Sequence, residues 1–324
     1  MCAQEMAVGI DIGGTTVVGA VVRGADAGIV ARRTMPTDSR RGIEDGLRRI
    51  RALIDGLLKD AGIELTQIIG IGIGSTGPID AVTGRINNPF TLPGWEHIPI
   101  VNHLRGIYDL PVCLLGDCQV AALGEHWNGA GRGTRTMLYV TFGTGIGGGF
   151  IVNDQLYRGV GDATEIGHHT IDYDGPPCYC GAFGCWEMLA SGPAIAQMAA
   201  ETAPDDSLIL ALAEHDRGRI TAEMVSIAAR QSDPFALELV KKIGFYIGTG
   251  VSNMINILAP EAIVLGGGVM QGWDVLGPSV LQTVAARDKM VPLNQIKIAP
   301  AALGLNAGVT GAARAAFLFV QGAL

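Results

Sequence analysis

The chain has 324 residues, 48% of them hydrophobic, with 47 glycines, few aromatics and a formal charge of −8. That length holds two domains with a substantial core, and the acidic balance argues against a nucleic-acid partner, which demands a basic face. Six cysteines fit a reducing cytoplasm rather than a disulfide framework; no basic segment with a following apolar one opens the chain, and the uncharged run at 137–152 is short and glycine-broken, so neither a signal peptide nor a membrane span is expected.

Residues 6–10 read as a short apolar strand ending at Asp11, and Ile12-Gly13-Gly14-Thr15-Thr16 turns into a second strand over 17–22. The backbone N–H groups of such a glycine hairpin can face a phosphate, and a carboxylate at its mouth could hold hydrated magnesium. Taken alone, a plain tight hairpin is the commoner explanation of this pattern. Ile43, Leu47, Ile50, Ile54 and Leu57 alternate four- and three-residue steps, the stripe of an amphipathic helix, with Gly62 as its stop. A buried strand at 68–73 leads into Ser75-Thr76-Gly77-Pro78, and 87–95 is a turn-rich loop that Trp95 would pin to the surface. Residues 111–115 form a strand, and Asp117 opens a helix running to about 127, where an Asp is by itself an N-cap.

A second strand, glycine turn and strand follow: 137–142, then Gly143-Thr144-Gly145-Ile146-Gly147-Gly148-Gly149, then 150–152. Five glycines in seven residues point to backbone approach to a phosphate. Next comes a cluster, His168 with Cys178, Cys180 and Cys185, interleaved with Gly175, Gly181 and Gly184. Three thiolates and an imidazole close a tetrahedral zinc site with no open position, so the metal is expected to be structural. Three reduced cysteines in an ordinary loop are the plain alternative. Glu165 and Glu187 are not needed by the metal and suit a polyhydroxylated ligand. Helices are expected at 192–203, 219–230 and 234–257, the last with Leu237, Val240, Ile243, Ile247, Val251, Met254 and Leu258 as its packing stripe. The strand 263–265 meets Gly266-Gly267-Gly268, and a final helix spans about 305–319.

The run G-H-x9-C-x-C-G-x2-G-C-x-E resembles the signature of the ROK family of bacterial sugar kinases and sugar-responsive repressors. The D-x-G-G-T turn resembles the first phosphate motif of the actin-like ATPase superfamily to which that family belongs, with Thr16 where Lys is frequent. The strand meeting Gly266-Gly267-Gly268 resembles its adenosine motif. Residues 87–95 resemble its sugar-facing loop, with Thr91 in place of Asn. Residues 116–125 resemble its N-D-x-N-x-A-A-x-G-E pattern, with Gly116 and Gln119 in place of Asn.

The resemblance implies an α/β fold of two actin-like (ribonuclease H-like) domains with a zinc loop: a smaller one over 1–117, completed by 305–324, and a larger one over 118–304. It implies ATP between the two glycine hairpins, contacting Gly13, Gly14, Thr15, Thr16, Thr144, Gly145, Gly147, Gly267 and Gly268, with Mg2+ near Asp11. Asp117 inherits the role of general base, and Glu165, His168, Glu187, Gly77, Thr91 and Gly116 line the sugar. Glucose is the first acceptor expected, an N-acetylhexosamine or fructose the next; Gly116 lacks an amide that would contact the sugar. A repressor would need an N-terminal DNA-binding domain, yet ten residues precede Asp11, and a non-catalytic sugar sensor would not need Asp117 and the intact glycine loops. Relatives are commonly homodimers or homotetramers, and a cytoplasmic enzyme without a membrane partner is expected.

Overall fold

The computed structural model describes residues 5–160 and 164–324. In chain order the elements are β1 (Met6–Ile12), β2 (Thr16–Arg23), β3 (Ile29–Pro36), α1 (Ile43–Ala61), β4 (Ile68–Ser75), β5 (Ile79–Asp80), β6 (Arg85–Ile86), α2 (Ile100–Tyr108), β7 (Val112–Gly116) and α3 (Asp117–Asn128). Then come β8 (Met137–Phe142), β9 (Ile146–Val152), β10 (Gln155–Tyr157), α4 (Trp186–Ala190), α5 (Gly192–Thr202), α6 (Leu208–Leu212) and α7 (Ala222–Arg230). The chain closes with α8 (Pro234–Leu258), β11 (Ala262–Gly266), α9 (Trp273–Arg287), β12 (Lys297–Pro300) and α10 (Ala307–Val320). It divides into two compact units, 1–137 with 149–164 and 302–324, and 138–148 with 165–301. Among the described residues no helix is long and apolar enough to cross a membrane.

The first unit is built on a sheet of order β3-β2-β1-β4-β7. The strands β1, β4 and β7 run parallel, with Asp11 opposite Gly74 and Ser75 opposite Gly116. Their carboxyl ends therefore lie side by side, the edge of an α/β sheet where ligands gather. Period-two alternation sorts β1 between two faces. Val8, Ile10 and Ile12 point into a core with Leu47, Ile50, Ile54 and Leu57 of α1 and Leu104 of α2. Ala7 points the other way, toward Val309, Ala313 and Phe317 of α10. A Cβ at Gly9 would lie 2.0 Å from the Val309 carbonyl oxygen, and one at Gly72 1.8 Å from that of Ala312, so only glycines let α10 lie this close to the sheet. The expected stop of α1 is present, with Gly62 in the left-handed region at φ 65°. Trp95 is fully buried, as a pin for its loop would be.

The division differs from the expected boundary after residue 117, and the first unit is the larger of the two. The reason is α3, which lies against α10: a Cβ at Gly311 would meet the Val120 carbonyl oxygen at 1.5 Å. Fully buried Glu125 of α3 also accepts hydrogen bonds from the N–H groups of Ala302 (3.0 Å) and Leu303 (2.8 Å), fixing the entry to α10.

The second sheet has the order β10-β9-β8-β11-β12, and the division into units falls within β9. Asp233 caps α8 by accepting from Ala236 N at 2.7 Å, with Pro234 at the first helical position. Of the expected stripe, Val240, Ile243, Ile247, Val251 and Met254 are buried, but Leu237 and Leu258 near the two helix ends are exposed. The helix expected over 219–230 begins at Ala222, because Thr221 caps it by accepting from Met224 N. Gly244 and Gly248 of α8 face Ser279 and Thr283 of α9 with no room for a Cβ.

Candidate functional site

In the first unit, the sheet's carboxyl edge gathers the residues that the sequence singled out. Asp11 is half-buried at the end of β1, and Asp117 is exposed at the first residue of α3, directly after β7. Burial, and then the like charge of Asp117, push the Asp11 carboxyl up to about 7. A divalent cation would relieve both effects, so the half-buried acid at this edge fits magnesium. Asp11 also packs on the start of α10, where a Cβ at Gly308 would stand 2.1 Å from its Oδ2. The Asp117 carboxylate accepts from Cys118 N at 2.7 Å.

The hairpin Gly13–Thr16 is held open by its neighbours. Thr37 donates from Oγ1 to the Gly13 carbonyl (2.6 Å) and from its N–H to that of Thr15 (2.9 Å). Thr91 accepts from Asn88 Nδ2 at 2.6 Å and lies 3.3 Å from the Thr76 hydroxyl, and its carbonyl crosses Gly14. Gly14, Thr15 and Thr91 line one open groove with Arg40 and Arg41. Gly77 is exposed beyond β4, and Gly116 donates its N–H to Gln119 Oε1 at 2.9 Å. Gln119 thus caps its own helix through Oε1.

In the second unit, His168, Cys178, Cys180 and Cys185 bring one donor atom each to within 4.8 Å of one another. His168 Nδ1 is 3.4 Å from Cys178 Sγ, and Cys180 Sγ is 3.6 Å from Cys185 Sγ. Zinc–sulfur and zinc–nitrogen bonds of about 2.3 and 2.0 Å at tetrahedral angles give edges of roughly 3.5–3.8 Å. The donor set and its spacing therefore fit zinc. Gly181 (φ 95°) and Gly184 (φ 56°) supply the left-handed turns between the cysteines.

His168 Nε2 faces away from the cysteines, 4.0 Å from Glu165 Oε2 and 3.1 Å from the Tyr179 hydroxyl. The same hydroxyl donates to Glu187 Oε1 at 2.8 Å. Glu187 sits on α4, which Trp186 anchors by an edge contact with Phe142 and a 3.0 Å bond from its Nε1 to the Tyr246 carbonyl. The other carboxylate oxygen, Oε2, accepts from Ile146 N at 2.8 Å.

The second glycine run has more packing duties than the sequence implied. Gly145 makes room for the Glu187 carboxylate, 2.4 Å from a would-be Cβ, and Gly148 for Ile166. Gly147 lies within β9. Only Gly143 and Thr144 of that run line a cavity of about 630 Å³, along with Gly268 but not Gly267. Gly267, at φ 87°, instead has the Phe142 backbone against it. Two helix N-termini open on this cavity. At α5 the first turn is already satisfied, since Gly192 N donates to the Gly143 carbonyl (2.8 Å), Pro193 has no N–H and Ser191 accepts from Ala194 N. Only the helix dipoles of α5 and α7 therefore favour an anion there.

A model of the ROK family matches residues 7–317. The chain belongs to the ROK family. A glucokinase of Halalkalibacterium halodurans is 38% identical to this ROK protein over 307 residues, covering 94% of this chain and 92% of the relative. A ROK hexokinase of Thermus thermophilus superposes with a TM-score of 0.80 at 30% identity, covering 98% and 99% of the two chains. A ROK glucokinase of Streptomyces griseus, solved with glucose and AMPPNP, superposes with a TM-score of 0.78 at 30% identity over 96% and 98%. These likenesses match the two-sheet α/β architecture expected of a ROK protein.

Sequence reasoning missed Gly308, Tyr179 and the wall of the large cavity formed by Pro193, Ala196, Thr221, Glu223 and Ser226. Tyr179 was within reach, lying between two cysteine ligands. These wall residues come from α5 and α7, helices that the sequence placed but gave no functional signal.

Proposed function

We propose that this ROK protein is an ATP-dependent hexose kinase whose principal acceptor is glucose. The observation that carries the proposal is Asp117, an exposed carboxylate at the carboxyl edge of the β1-β4-β7 sheet beside the half-buried Asp11. The similarity to a relative solved with glucose and AMPPNP supports the same reaction.

Asp117 accepts the proton of the attacking sugar hydroxyl as its oxygen bonds to the γ-phosphorus and the bond to the β,γ-bridging oxygen breaks, releasing ADP. Magnesium held at Asp11 would supply charge neutralisation to the phosphates. The turn residues Gly14 and Thr15 would offer their N–H groups to the transferred group, Gly13 N being held by the Thr16 carbonyl, while the cavity lined by Gly143, Thr144 and Gly268 takes the nucleotide. Glu165, His168 and Glu187 accept from or donate to the other sugar hydroxyls. Zinc would act only through His168, fixing one ring nitrogen so that the other is presented at a set angle.

An N-acetylhexosamine or fructose is the second reading. It is favoured by Gly116, whose side lies open apart from Gln119. A coupled ADP-release screen across hexoses, aminohexoses and polyols tests both. Glucose should be turned over with the highest kcat/KM. No turnover of any sugar would reject the kinase assignment.

A further inference from the structure

The phenol of Tyr179 occupies the polar groups assigned above to the sugar. Its oxygen is 2.8 Å from Glu187 Oε1 and 3.1 Å from His168 Nε2, with Glu165 Oε2 4.0 Å from that same nitrogen. The ring stands edge-on to His168, centroids 4.9 Å apart and planes at 86°. Yet Tyr179 is 79% exposed, so little buried area holds it there. Its position rests on two hydrogen bonds, one donated and one shared with an imidazole, which is the pattern an alcohol makes.

We propose that Tyr179 is a stand-in for a sugar hydroxyl: it fills the polar partners of Glu187 and His168 when no sugar is bound and rotates out to admit one. This rests on the kinase reading for the identity of the sugar contacts. The move is confined to the side chain, because the backbone on either side is tied. Cys178 N donates to the Ala182 carbonyl at 2.8 Å, and Gly181 N donates to that of Cys178 at 3.0 Å.

Two consequences follow from linkage. The bound state must displace Tyr179, so the apparent sugar affinity is reduced by the fraction of chains in which the phenol is out. The phenol also keeps Glu187 and His168 at the spacing of a hydroxyl, which holds the pocket ready. Tyr179 is thus a residue that sets acceptor affinity without remaining in contact with the acceptor.

The test is Tyr179→Phe, with glucose as the probe. Removing the hydroxyl abolishes the competing bonds, each worth roughly 2- to 12-fold in an equilibrium, and leaves the ring on His168. Glucose should bind the variant about 3- to 10-fold more tightly by calorimetry than it binds the unaltered protein. In protein labelled with 3-fluorotyrosine, the ¹⁹F resonance missing from the variant should shift when glucose is added. Unchanged or weaker binding by the variant, or a resonance that stays in place at saturation, overturns the proposal, as does glucose binding by neither form. The two readings separate cleanly. Glucose bound with tighter variant affinity but never phosphorylated rejects the kinase assignment alone. Glucose phosphorylated with no gain in variant affinity rejects the stand-in alone.

Discussion

Gly308 offers a way to disturb Asp11 without touching any group that meets substrate. It is the second residue of α10, and a Cβ built there would lie 2.1 Å from Asp11 Oδ2, 2.5 Å from its Cγ and 3.1 Å from its Cβ. In Gly308→Ala the methyl group and the carboxylate must separate by more than an ångström to reach ordinary contact. Either Asp11 leaves its rotamer, at about 0.5–1.5 kcal/mol, or α10 shifts, which its close seating on Gly9 and Gly72 resists. The better helix propensity of alanine returns about 1 kcal/mol. Net stability should therefore change little, while a catalytic group displaced by about 1 Å costs on the order of 100-fold in rate. Thermal melting should move by no more than a few degrees as kcat falls 10- to 100-fold in the ADP-release assay. Gly106→Ala in α2, where a Cβ meets nothing within 4 Å, serves as the control and should leave kcat unaltered. Wild-type turnover by Gly308→Ala would refute the placement of Asp11 in the phosphate machinery.

Asp117→Asn should bind sugar nearly normally in calorimetry but lose two to four orders of magnitude in turnover, about the range for a missing general base; near-normal kcat would return Asp117 to the role of a helix cap. Burial raises the Asp11 carboxyl from 3.8 to about 7, so the folded state holds a proton that the unfolded state has lost between those values. That group's contribution is present at low pH and lost as pH rises through about 7, by at most a few kcal/mol. Asp11→Asn should flatten the decline in melting temperature between pH 5 and 8, and an unchanged slope would assign the pH dependence elsewhere. Metal analysis should find about one zinc per chain, as for a single closed four-ligand site. Removing it, or making Cys180→Ala, should abolish sugar phosphorylation while sparing ATP binding, since His168 and Glu187 lose their support; full activity in zinc-free protein would dissolve that link.

Much of this molecule is written in short stretches of chain. Short apolar runs placed β1, β4 and β7, the step pattern of Ile43–Leu57 placed α1, and Gly62 ended it, because backbone conformation and burial act over neighbouring residues. The four metal donors were equally legible, for they lie within 18 positions of one another and their chemistry is uncommon. What one residue meets across the fold was not legible. The second glycine run illustrates the limit: Gly145 and Gly148 are bare because Glu187 and Ile166 need the space, and no local pattern separates such packing from approach to a phosphate. The assignment of α3 to the first unit turns on Gly311 fitting against Val120 and on Glu125 reaching the segment before α10, contacts spanning most of the chain's length. Tyr179 reads in sequence as a spacer between two cysteines. Its meeting with His168 and Glu187 exists only once the zinc loop has closed on itself, because a hydrogen bond is set by direction and distance in space rather than by order along the chain.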